Sequence, residues 1–94
     1  MLSKIPLNLD KIKKEDIDKE ILRMGIIAEM DAVNLYEQMV ALAQNKNIKA
    51  VLRNIAKEEK THVGEFQALL LEIDTEQAKE LEEGKKEIDE LKEK

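Results

Sequence analysis

The stretch Glu59-Lys60-Thr61-His62 places a carboxylate and an imidazole three residues apart, on one face of any helix that carries them. That face is otherwise apolar. Intervals of four and three, read outward in both directions, give Ile48, Leu52, Ile55, Glu59, His62, Phe66, Leu69 and Ile73. An unpaired carboxylate buried among such residues is strongly unfavourable, so Glu59 requires a partner. The preceding helical segment repeats the pattern with Leu22, Ile26, Glu29, Val33, Tyr36, Val40 and Ala43, again with one carboxylate in mid-stripe. In an antiparallel hairpin Glu29 lies about as far before the turn as Glu59 and His62 lie after it. The three then share one level, which makes half of a carboxylate-rich metal site.

The 94 residues form one small domain, near the size at which a partner chain becomes useful. A composition 43% hydrophobic and 39% charged, with three Gly and one Pro, favours long amphipathic helices. Two aromatic residues and a net charge of -5 argue against nucleic acid as a partner and suit attraction of cations. The absence of cysteine excludes a disulfide framework and Cys-ligated metal. No run is long enough for a membrane span and no secretory signal pattern opens the chain, so the expected location is cytoplasmic.

Along the chain, residues 1–14 read as an extended lead-in, with Pro6 and Asn8 discouraging early helix. Helix 1 is expected over 15–44. Asn45-Lys46-Asn47 reads as a short turn with Asn47 capping helix 2, over 48–73. Asp74 and Gln77 suggest a capping box opening helix 3, over 75–92, which Gly84 interrupts and whose apolar side is Leu81, Ile88 and Leu91. So short a turn makes the first two helices antiparallel neighbours.

Both helices carry a second apolar stripe: Ala28, Ala32, Leu35, Met39 and Leu42 on the first, and Ala56, Val63 and Leu70 on the second. One hairpin cannot cover that much surface. The expected fold is all-α, a two-helix hairpin plus a short C-terminal helix, dimerising into a ferritin-like four-helix bundle. A twofold axis near Glu29, Glu59 and His62 would gather four Glu and two His, the ligand set of ferritin-like di-iron proteins. Four carboxylates match the charge of two divalent ions, and oxygen-rich ligation with one imidazole per metal fits iron or manganese.

The run Ala28-Glu29-Met30-Asp31-Ala32-Val33-Asn34-Leu35-Tyr36-Glu37-Gln38, followed by Glu58-Glu59-Lys60-Thr61-His62-Val63-Gly64-Glu65-Phe66, resembles the encapsulated ferritins. It is similar above all to the archaeal ferritin-like domain fused to an encapsulin shell protein. The resemblance implies a ferroxidase that oxidises Fe(II) with O2 at a di-iron centre shared between two chains. It also implies five dimers assembled into a decameric ring inside an encapsulin nanocompartment. Carried over by position, Glu29, Glu59 and His62 match the iron ligands, and Tyr36 matches a tyrosine close to the centre. The family's metal-entry carboxylate positions hold Ala28 and Asp31 here, and Leu35 replaces a tryptophan of some members. No C-terminal targeting peptide is evident in Glu90 to Lys94.

The implied chemistry passes one electron from each of two Fe(II) to O2, with Glu59 the natural bridge and Glu29 and His62 terminal ligands. A hairpin of this size encloses no mineral, so storage or detoxification would depend on the shell. Two other readings remain at this stage. One is a rubrerythrin-like di-iron peroxidase, and the other is a non-catalytic helical oligomerisation or cargo module. Asp31, Glu58 and Glu65 read as solvated helix-face charges, and the methionines at 24, 30 and 39 as packing.

Overall fold

The structure, a computed structural model, describes residues 9–92. Three helices dominate: α1, Ile17–Leu42; α2, Lys46–Ile73; and α3, Thr75–Lys92. Among the described residues there is no strand, and no helix is long and apolar enough to cross a membrane. Of the extended lead-in expected over 1–14, residues 1–8 lie outside the described residues. The remainder includes a 3-10 turn at Leu9–Lys11, and a second at Lys14–Asp16 runs directly into α1. That second turn is closed by Asp16 N donating to Lys13 O at 2.9 Å.

The connection between α1 and α2 corrects the expected cap. Asn45, not Asn47, starts α2: its Oδ1 accepts from the backbone N of Asn47 at 2.8 Å and of Ile48 at 3.1 Å. Ala43 is extended and gives its N–H to Met39 O, which ends α1. A connection this short leaves α1 and α2 packed side by side.

At the other end of α2, Asp74 fulfils half of the capping box. Its Oδ1 accepts from Gln77 N at 3.0 Å. The reciprocal half does not form, because the Asp74 N–H already closes α2 on Leu70 O at 2.8 Å. The other carboxylate oxygen, Oδ2, instead receives Arg23 Nη2 at 2.7 Å, a contact from α1. The Gln77 amide and the Arg23 guanidinium hold the Asp74 carboxyl below its ordinary value of 3.8. α3 is continuous through Gly84, contrary to the interruption expected there. A single glycine costs a helix about 1 kcal/mol, too little to break eighteen residues with good formers on both sides.

The overall extents, 46 × 46 × 20 Å, follow from a hairpin about as long as α2 with α3 leaving it at a steep angle. α3 makes no close backbone approach to α1. The core is thin: Val33, Leu52, Ala56 and Leu70 are the buried apolar residues, and no large side chain is fully buried among those described. Leu52, Ala56 and Leu70 belong to the side of α2 that also carries Val63, and this edge is the one most deeply covered by α1. Within the stripe running from Ile48 to Ile73, Phe66 also packs on α1, against Gly25, while the ends of the stripe are left open. Ile48, Leu69 and Ile73 are all about half exposed, and on α1 so are Ile21 and, still more, Leu42. Rows of seven-residue spacing, Ile21-Ala28-Leu35-Leu42 on α1 and Ile48-Ile55-His62-Leu69 on α2, therefore line an apolar face that the described residues leave largely uncovered. A cleft lined by Ile21, Leu69 and Ile73 shows that the two rows look out on the same side.

Candidate metal centre

Glu29 comes from the middle of α1, and Glu59 and His62 from the middle of α2. The hairpin brings the three together. His62 Nδ1 lies 3.2 Å from Glu29 Oε2 and 3.5 Å from Glu59 Oε2. One ligand atom from each residue falls within 4.8 Å of the other two. Donors bound to one ion at about 2.0 to 2.2 Å stand roughly 3 to 3.5 Å apart, and the two separations from His62 fall in that range. The chemistry of the set, two carboxylate oxygens and an imidazole nitrogen, suits Fe(II) or Mn(II).

The three residues differ in exposure. The Glu29 and Glu59 side chains are 21% and 19% exposed, at the edge of the α1/α2 seam. His62 is 46% exposed and stands in the uncovered row, between Ile55 and Leu69. A cleft of about 370 Å³ opens beside it, lined by Glu29, His62, Glu65 and Phe66.

Tyr36 is half-buried on α1, two turns beyond Glu29, or about 10 Å along the axis. Its hydroxyl makes no hydrogen bond to the three ligand candidates among the described residues. Asp31 is half-buried two residues from Glu29, and Glu58 accepts from Asn54 Nδ2 at 2.7 Å along the outer side of α2.

Two residues near the centre carry more weight in the structure than in the sequence. Glu65, read as a solvated charge, lines the cleft; its position three after His62 puts it on the same helix face, a signal already present in Glu-x-x-His-x-x-Glu. Gly25, one turn before Glu29, lets the Phe66 ring approach. A Cβ there would lie 3.1 to 3.3 Å from three ring atoms. Nothing local in the sequence distinguishes this glycine from Gly64 or Gly84, both of which have open space.

The rubrerythrin family model matches residues 20–94, most of the chain. The chain belongs to the rubrerythrin family. Within that family it is similar to a ferritin-like-encapsulin shell fusion protein of Pyrococcus furiosus, at 51% identity over 85 residues, covering 90% of this chain and 25% of that protein. It is also similar to an encapsulin nanocompartment cargo protein of Myxococcus xanthus, at 39% identity over 57 residues, covering 61% of this chain and 44% of that one. The chain thus spans a quarter of the first relative and under half of the second. The crystal structure of the encapsulated ferritin domain from Pyrococcus furiosus superposes with a TM-score of 0.82 at 49% identity, covering 97% of this chain and 95% of that one. As a rubrerythrin-family domain with that likeness, the chain has a ferritin-like helical fold, and the resemblance to encapsulated ferritins stands.

Proposed function

We propose that this domain is a ferroxidase that oxidises Fe(II) with O2 at a di-iron centre shared between two chains, within an encapsulin shell. One observation carries the reading: the most exposed of the three converging donors, His62, stands in the uncovered apolar row. Whatever surface covers Ile48 and Leu69 covers His62 as well. A second copy of the same hairpin supplies a matching apolar face and, by symmetry, a second Glu29, Glu59 and His62.

Glu29, Glu59 and His62 of each chain would hold the iron, and two Fe(II) would supply one electron each to O2, giving two Fe(III) and, with two protons from solvent, one hydrogen peroxide. Four carboxylates from two chains offset the four positive charges of two divalent ions. His62 ligates as the neutral imidazole, so its second ring nitrogen remains free to hold a proton. Phe66 walls one side of the centre against water, and Glu65 at the mouth of the cleft draws Fe(II) inward, helped by the net charge of -5. Six side chains over two metals leave positions for oxygen. Association with an encapsulin shell is supported by relatives named as an encapsulin fusion and an encapsulin cargo protein; assembly of dimers into a ring is what the resemblance to encapsulated ferritins implies.

Aerobic addition of Fe(II) to the chain and to Glu59→Ala, following O2 uptake and ferric absorbance, tests the reading. Rapid O2-dependent oxidation by the chain and none above background by the variant are expected. The rubrerythrin family match favours one alternative, a peroxidase, which would consume hydrogen peroxide in preference to O2. Metal uptake by neither protein would leave a structural module.

A further inference from the structure

Positive charge runs along α2 against two local rules of helix electrostatics. Lys46, Lys49, Arg53, Lys57 and Lys60 recur at intervals of three and four, and so share one helix face. Lys46 and Lys49 stand in the first turn of α2, which holds no acidic residue, at the end of the helix dipole that favours negative charge. Arg53 and Lys57, four apart, repel each other along the helix. Lys60 pairs with Glu37 of α1 at 2.9 Å, whereas Arg53 and Lys57 have no ion-pair partner among the described residues. With 21 acidic residues against 16 basic ones in the chain, they are not unpaired for want of carboxylates.

Arg53, Lys57 and Lys60 border a groove of about 350 Å³ between α2 and α1, completed by Glu37, Val40 and Ala56. Ala56 is buried at the α1/α2 seam, and its small side chain leaves the floor of the groove low. Glu37 is the one carboxylate that lines it, and Lys60 already holds that carboxylate, so two positive charges remain for a ligand. A guanidinium offers two parallel N–H donors to a tetrahedral oxyanion, and an ammonium one turn along adds a point charge. At about 100° per residue this side of α2 is opposite the row of Ile48, Ile55, His62 and Leu69, so closing two hairpins over that row leaves the groove open.

We infer that this groove binds a phosphate group, with Arg53 gripping two of its oxygens and Lys57 and Lys60 balancing its charge. Inorganic phosphate and a chain of phosphates offer the same chemistry. Lys46 and Lys49, on the same face and about 6 to 11 Å from Arg53 along the axis, would meet the further groups of a chain. The inference stands on the charges and the groove, and does not require the centre to bind iron.

Titration of the iron-free full chain at low salt, in a buffer without phosphate, tests it with two probes, sodium phosphate and sodium tripolyphosphate. Binding is read by isothermal calorimetry and by NMR shifts of the backbone amides and the Arg53 Nε–H. Saturable binding of at least one probe is expected, with a dissociation constant of about 1 mM or tighter and shifts centred on Arg53, Lys57 and Lys60. Arg53→Gln with Lys57→Gln should weaken it at least about tenfold. Glu37→Gln removes the opposing carboxylate and frees Lys60, so it should tighten binding at least about threefold, a gain that a misfolded variant would not give. Lys79→Gln with Lys85→Gln removes the same charge from exposed positions of α3 and should leave the affinity unchanged. Equal affinity for the two probes assigns a single phosphate; tighter binding of tripolyphosphate, reversed by Lys46→Gln with Lys49→Gln, assigns a chain, and either result sustains the inference. No saturable binding of either probe, or a loss as large in the α3 variant as in the Arg53 and Lys57 one, would overturn it.

Discussion

The Arg23 guanidinium reaches from α1 to the Asp74 carboxylate at 2.7 Å, joining the first helix to the residue that both ends α2 and opens α3. Because the folded Asp74 carboxyl is held below its ordinary 3.8, the ionised form is the one that stabilises the junction. Its contribution is complete above the unfolded value and is lost as the pH falls through the depressed one. Asp74→Asn keeps a capping oxygen but loses the charge; Asp74→Ala loses both. The melting temperature at neutral pH should therefore fall in the order unmodified, Asn, Ala. The gap between the unmodified chain and Asp74→Asn should narrow in melts as the pH falls below the ordinary value of 3.8 and through the depressed one, where the native carboxyl protonates.

Asn45 caps α2 through two backbone amides, so Asn45→Ala should destabilise the hairpin by about 1 kcal/mol in urea unfolding. Asn47→Ala, at the position the sequence favoured, removes only a helical side chain and should change stability by less than about 0.5 kcal/mol.

Glycines at two helical sites should respond differently to alanine. At Gly84 a Cβ meets nothing within 4 Å, and α3 lies off the hairpin. Gly84→Ala should slow amide exchange within α3 roughly two- to fivefold, corresponding to about 0.5 to 1 kcal/mol of helix propensity. At Gly25 the new methyl would press on the Phe66 ring at 3.1 Å, so the same propensity gain is offset by displacement of the ring. No net stabilisation is expected there, and NMR shifts of the Phe66 ring would report the movement.

Much of this architecture was legible in the chain because helix periodicity and a short connection leave few choices. The convergence of Glu29, Glu59 and His62 on one level follows from their near-equal distances from the turn, and their donor atoms do lie within 4.8 Å. Which edge of each stripe meets the other helix was not legible. An apolar residue covered by its own chain and one awaiting another chain look alike in sequence, and only the structure separates Leu70, at 4% exposure, from Leu69, at 51%. The cap was misplaced by two residues because both Asn45 and Asn47 are good caps, and the choice depends on which one is extended. The Arg23–Asp74 pair spans 51 positions, and no local pattern announces a contact of that range.

The open apolar row makes its own prediction. Leu69 lies two turns from His62 on that row and is half exposed, so Leu69→Glu should leave the isolated hairpin helical. In a dimer closed over the row it would bury two carboxylates without partners. The dimer dissociation constant should rise at least about a hundredfold, as measured by sedimentation equilibrium. Fe(II) binding should weaken with it, although no ligand has been touched.

The most direct measurement is diffraction from crystals grown with Fe(II) without oxygen, using anomalous scattering at the iron edge to locate the ions. A pair of iron ions a few ångströms apart, ringed by Glu29, Glu59 and His62 from two chains, is the expected result. Iron held by the three side chains of one hairpin, with the row from Ile48 to Leu69 facing solvent, would contradict the shared centre.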